Sequence, residues 1–219
     1  MKLMLCYRRR ELHKMRRLPI YLLIDTSGSM KGEPIESVKI GLETMQRTLL
    51  DDPVMSDFSF ISIITFDKKV KNVLPLTSIR NAVIPELVPP NSGPTFLGAA
   101  IELLLQKIDT ELEKRTITNE GDYPPIVLIM TDGKPSDIAL YESMCERLRK
   151  RKVSKLIACA VGPLASEDSL KLITSNVVNL CTLDSFSFIK LFDMVCSKFD
   201  TNQEYDVENM DVLPSQICL

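Results

Sequence analysis

No Cys-x-x-Cys pair occurs in the 219 residues, and the six cysteines (Cys6, Cys145, Cys159, Cys181, Cys196, Cys218) are widely scattered. Zinc ligation by paired thiolates is therefore unsupported. Cys159 and Cys181 stand inside apolar runs, where a reduced, buried thiol is expected. No apolar run reaches the ~18 residues of a membrane-crossing helix, and no signal-peptide pattern is visible. A cytoplasmic location without a membrane partner is expected. Positive charge is not in excess either: the formal net charge of −2 argues against a nucleic-acid binder, which is normally basic. The one histidine, His13, offers no positioned imidazole base, since it falls in a leader without apolar patterning. Gly-x-Ser-x-Gly elbows and Walker-type phosphate loops are absent; Lys134 follows Gly133, but the preceding glycine is missing.

What is present is ordinary globular composition, 45% apolar and 26% charged. A chain of this length is long for one domain and short for two, and one compact α/β unit can bury roughly 70% of its extended surface. The first nineteen residues carry seven Lys or Arg against Glu11 alone. They show no helical stripe and read as a basic, flexible leader over 1–17, with Met15 as an alternative start. The domain is expected over 18–199, followed by a loose tail over 200–219.

From Leu18 the pattern turns regular. Ile20–Ile24 is a short apolar run ending in Asp25, a strand buried on both faces. Pro34 suits a first helical turn, and Ile35, Val38, Leu42, Met45 and Leu49 then form one helical stripe. Phe58–Phe66 and Val70–Leu76, joined by Asp67-Lys68-Lys69, predict an antiparallel hairpin. Leu87–Pro94, with three prolines and a glycine, is loop. A helix follows through Phe96, Ala100, Leu104, Ile108 and Leu112. Ile126–Met130 is a second buried strand, closing in Thr131-Asp132-Gly133. A helix over 138–151, strands at Leu156–Val161 and Val177–Leu180, and a helix at Phe186–Phe199 complete the pattern. Alternation of this kind predicts a doubly wound α/β fold: a mostly parallel six-stranded sheet, one antiparallel edge strand, and helices on both faces. Ligands of such sheets bind beyond the carboxyl ends of the strands, where the strand order reverses.

Polar residues gather at that edge. Asp25-Thr26-Ser27-Gly28-Ser29 presents a carboxylate and two hydroxyls on alternate residues, which an extended loop would point one way, with Gly28 removing bulk and letting the backbone turn. Thr95 opens the helix after the Pro-rich loop, and Asp132 ends another strand. Each alone has an ordinary reading: Asp25 as a cap or turn residue, Thr95 as a helix cap, Asp132-Gly133 as a strand-end turn. Together, Asp25, Ser27, Ser29, Thr95 and Asp132 form a set of hard oxygens without nearby His or Cys. Such a set favours Mg²⁺, with Mn²⁺ or Ca²⁺ as alternatives, over Zn²⁺. A partner's Asp or Glu could fill an open position on the ion. The competing class is a Mg²⁺-dependent phosphohydrolase using Asp25 as nucleophile. A haloacid-dehalogenase-like enzyme would want a second carboxylate two residues on, where Ser27 stands.

The same residues resemble the metal-ion-dependent adhesion site of von Willebrand factor A domains, over about Leu18 to Phe199. Segments 15–30, 32–37, 92–96 and 130–137 further resemble the TerY-type proteins of bacterial tellurite-resistance clusters. Pro94, where many A domains have Gly, is closer to that subgroup. The resemblance implies a Rossmann-like, cytoplasmic, non-catalytic interaction module. Its implied partners are a protein kinase or a PP2C-like phosphatase. Direct tellurite binding by thiols would need clustered exposed cysteines, which the sequence does not offer.

Overall fold

The computed structural model describes residues 16–162, 165 and 167–180. The expected helix at Phe186–Phe199, the tail and most of the leader lie outside them. Six strands form one sheet: β1 (Leu18–Asp25), β2 (Ser59–Phe66), β3 (Val70–Ser78), β4 (Ile126–Thr131), β5 (Lys155–Val161) and β6 (Val177–Leu180), in the order β3-β2-β1-β4-β5-β6. All neighbours are parallel except β2 and β3, which pair antiparallel at the edge. The helices are α1 (Glu33–Asp51), α2 (Pro53–Phe58), α3 (Leu97–Glu111), α4 (Ile138–Arg149) and the short α5 (Glu167–Leu170). The expected doubly wound architecture is the one observed. Among the described residues, no helix is long and apolar enough to cross a membrane.

Every residue of β1 and of β4 is buried, because helices cover both faces of the centre of the sheet. Period two divides the side chains. Leu18, Ile20, Leu22 and Ile24 face a core shared with α1 and α2, while Tyr21 and Leu23 face a second core shared with α3 and α4. Each fully buried Leu or Ile contributes about 1.5–3 kcal/mol of hydrophobic stabilisation. The α1 stripe is the one predicted, with Ile35, Val38, Leu42, Met45 and Leu49 all buried. Its start uses Gly32 at φ 93° before the helix, Pro34 in the first turn, and Glu33 and Glu36 beside the positive end of the helix dipole.

The helix α2 is too short to show a period in the sequence. Asp52 ends α1 and caps α2: its Oδ1 accepts the N–H groups of Val54 (2.8 Å) and Met55 (3.0 Å), with Pro53 next in line. Charge counting likewise missed Arg16 and Arg17. The Arg17 guanidinium donates to both oxygens of Asp122 (2.8 and 2.6 Å) and to the Glu111 carbonyl (3.0 Å). Arg16 stacks 4.1 Å over the Tyr123 ring and donates to the Gly121 carbonyl at 3.1 Å. These two arginines fasten the segment before β4 to the amino end of the sheet, opposite the candidate site.

Candidate metal centre

The strand order reverses between β1 and β4, and the loops that leave these two strands carry the polar set. Asp25 is the last residue of β1 and is fully buried. Its Oδ1 accepts the Ser27 N–H at 2.7 Å, and its Oδ2 accepts the Thr131 hydroxyl at 2.5 Å. The first bond curls the chain immediately after the strand. Extended alternation therefore does not align the two serines: Gly28–Met30 is a single 3-10 turn, and that turn brings Ser29 Oγ to 3.1 Å from Ser27 Oγ. Ser29 Oγ in turn donates to Asp132 Oδ1 at 2.9 Å. Ser27 is buried, Asp132 half-buried and Ser29 exposed, so the set rises from the core to the surface.

Gly28 acts through close approach more than through turning. A Cβ there would lie 2.5 Å from Ser92 Cα and 2.9 Å from Ser92 N. The Pro-rich loop is thus seated directly on the Asp-x-Ser-x-Ser loop, and Lys31 Nζ reinforces the contact by donating to Asn91 Oδ1.

Thr95 is buried, as a ligand or a cap would be, but it does not open the helix; α3 begins at Leu97 with Phe96 at the cap position. The Phe96 N–H donates to the Asp67 carbonyl at 3.1 Å, which extends the loop by one residue. Thr95 Oγ1 points at the β4 loop, 3.4 Å from where a Cβ on Gly133 would stand. That places the Thr95 hydroxyl beside the residue that follows Asp132. The five residues Asp25, Ser27, Ser29, Thr95 and Asp132 therefore meet at one place.

Burial dominates the electrostatics of both carboxylates. Burial pushes the Asp25 carboxyl up to about 6, partly offset by the Thr131 and Ser27 hydrogen bonds, and the nearby Asp132 raises it further. Burial also raises Asp132, against the Ser29 hydrogen bond.

The family model for the von Willebrand factor type A domain matches residues 20–193. The chain belongs to the von Willebrand factor type A domain family. Matrilin-3 of Gallus gallus is 32% identical to this A domain over 130 residues, which are 57% of this chain and 27% of matrilin-3. Proximal thread matrix protein 1 from the mussel byssus, solved with a zinc-occupied MIDAS motif, is 17% identical over 84% of this chain and 47% of its own, with a TM-score of 0.56. An A domain from Catenulispora acidiphila is 15% identical over 82% of this chain and 42% of its own, with a TM-score of 0.59. These structural likenesses speak for the fold. The chain spans about a quarter of matrilin-3 and about half of the mussel protein.

One contributor to the A-domain site was missed in the sequence, the hydroxyl of Thr131. It donates to Asp25 and accepts the Gly133 N–H at 3.2 Å, holding one carboxylate and the turn after the other. A polar residue ending the apolar run Ile126–Met130 was the available signal. Beside the site, a cleft of about 230 Å³ is walled by Thr65 and Lys71 from the sheet, by Thr26 and Lys69 from the loops at its edge, and by Leu87 and Val88 from the Pro-rich loop.

Proposed function

We propose that this A domain is a metal-dependent protein-interaction module. It holds one divalent cation, Mg²⁺ in the first instance, on Asp25, Ser27, Ser29, Thr95 and Asp132. The observation that carries the reading is the buried Asp25 carboxylate, raised to about 6, in one hydrogen-bonded cluster with Ser27, Ser29 and the second carboxylate of Asp132. An all-oxygen set with two negative charges suits Mg²⁺, Mn²⁺ or Ca²⁺. When bound, the ion supplies a Lewis-acidic position that a partner's Asp or Glu completes. The chain's own residues set the direction of approach. Ser29 and Asp132 lie toward solvent, whereas Asp25 and Ser27 lie beneath them. The loops 30–33, 88–94 and 133–137 form the rim that chooses among acidic partners. Exposed Lys134 draws acidic surfaces in, and Lys31, held on Asn91, adds positive charge from a fixed position.

The reading of Asp25 as a phosphohydrolase nucleophile is disfavoured by its full burial and by hydrogen bonds on both of its oxygens. The mussel protein's zinc-occupied MIDAS motif supports a cation at this end of the sheet. The motif resemblance to TerY-type proteins supports a finer reading: a cytoplasmic stress-response protein of a tellurite-resistance system. Its partner there would be a PP2C-like phosphatase or a protein kinase.

The test is capture of partners from native lysate by the full chain, in Mg²⁺ and in EDTA, beside Ser29→Ala. Partners should be retained only by the unaltered chain in Mg²⁺. Equal capture in EDTA would make the ion, if bound, a structural brace and move the recognition surface elsewhere.

A further inference from the structure

Asp137 stands where a capping residue of its own helix belongs, immediately before α4, yet its side chain makes no hydrogen bond to α4. It turns to the neighbouring helix instead. Oδ1 accepts the Gly98 N–H at 3.1 Å and Oδ2 accepts the Ala99 N–H at 2.9 Å. α3 needs this, because its own cap position is Phe96, which has no oxygen to offer. A carboxylate also matches the positive end of the α3 dipole. One residue earlier, Ser136 pairs with Thr95 in both directions: Ser136 Oγ accepts the Thr95 N–H at 3.0 Å, and the Ser136 N–H donates to the Thr95 carbonyl at 2.8 Å. Gly98 completes the contact, since a Cβ there would stand 2.5 Å from Tyr141 N on α4. The five-residue loop from Gly133 to Asp137 thus starts at one candidate ligand, Asp132, and ends by grasping another, Thr95, on both sides.

We propose that Asp137, with Ser136, is a positioning residue of the metal centre: it caps α3 from the adjacent loop and so fixes the Thr95 hydroxyl against Asp132. The proposal rests on the metal reading above. Thr95 lies on a loop and has no regular structure of its own to aim it; without the clamp, the Phe96 N–H on the Asp67 carbonyl would be left to hold it from one side alone. Side chains that orient metal ligands from behind typically change metal affinity by about 10–100-fold when removed.

The experiment titrates the full chain with Mn²⁺ alone and follows the free-ion signal by electron paramagnetic resonance. Asp137→Ala should weaken binding by about tenfold or more, and Asp137→Asn, which keeps one acceptor oxygen, by less. The decisive comparison repeats Asp137→Ala in a Thr95→Ala background. There the hydroxyl is already gone, and the second substitution should change affinity less than about twofold, the non-additivity expected of coupled residues. Should Asp137→Ala fail to fold, Ser136→Ala deletes only the acceptor for the Thr95 N–H and carries the same comparison, with a loss of several-fold. Unchanged affinity, or an equal loss with and without the Thr95 hydroxyl, would overturn the positioning role while leaving the metal site standing. No Mn²⁺ binding by the unaltered chain would overturn the metal reading and this proposal with it.

Discussion

Replacing Gly98 by Ala sets two effects of opposite sign against each other. Helix propensity favours alanine by up to about 1 kcal/mol in a helix interior, and less here, because Gly98 is only the second residue of α3. Packing opposes it. The new Cβ would stand 2.5 Å from Tyr141 N, 2.8 Å from Tyr141 Cα and 2.9 Å from Asp137 Oδ2. Two of these three atoms are backbone and cannot rotate away, so α4 would have to retreat by about 1 Å to restore ordinary contact. Overpacking of this kind costs about 1–3 kcal/mol, and any loosening of the two Asp137 hydrogen bonds works in the same direction. Packing wins: Gly98→Ala should destabilise the metal-free chain by roughly 1–3 kcal/mol, which lowers Tm by ~2–4 °C per kcal/mol in a domain of this size. Urea unfolding in EDTA measures it. Gly93→Ala is the control, since its nearest neighbour would be Pro90 Cγ at 3.8 Å. A Gly98→Ala midpoint equal to or above that of the unaltered chain would refute the close approach of α3 and α4.

Three further outcomes are expected. In EDTA, stability should fall as pH rises from about 4 to 6, because folding raises the Asp25 carboxyl to about 6 and thus favours the protonated form. The stabilisation is complete below the ordinary Asp range and lost through pH 6, on the order of 3 kcal/mol. Asp25→Asn should flatten that slope, and an unchanged slope would assign it to other groups. Asp122→Ala should cost about 3 kcal/mol in urea unfolding by removing the two-point partner of the Arg17 guanidinium and the acceptor of the Glu113 N–H; a cost under ~1 kcal/mol would reduce that ion pair to a surface contact. Burial pushes the Cys145 thiol up to about 11 and raises Cys159 further. Peptide mapping after iodoacetamide at pH 8 should therefore find both unmodified in the folded chain, and labelling of either would contradict its burial.

Periodicity carried the fold because burial writes it directly into the chain. The two-sided cover of β1 and β4 needs continuous apolar runs, and one buried face of α1 needs a stripe of period 3.6; both are visible in Ile20–Ile24 and in Ile35 to Leu49. The polar cluster of the candidate site was legible because carboxylates and hydroxyls at strand ends have few structural reasons to gather. Interactions between distant segments were not legible. Only the packing of α3 beside α4 shows that Asp137, one residue before α4, caps the other helix. Gly28 reads as a turn glycine until Ser92 is seen against it. Arg16 and Arg17 count as leader charge until Asp122 and Tyr123 arrive from over a hundred residues away. The α2 helix is too short for a period, and its signal was local: Asp52 followed by Pro53.

Calorimetric titration of the metal-free full chain measures whether a single divalent cation binds the oxygens of Asp25, Ser27, Ser29, Thr95 and Asp132. With Mg²⁺, and with Mn²⁺ as a second probe, the unaltered chain should show one site per molecule. Asp25→Ala should show none, having lost half of the site's protein charge, while remaining folded by circular dichroism. A chain that binds neither ion, or an Asp25→Ala variant that binds as tightly as the unaltered protein, would contradict the account.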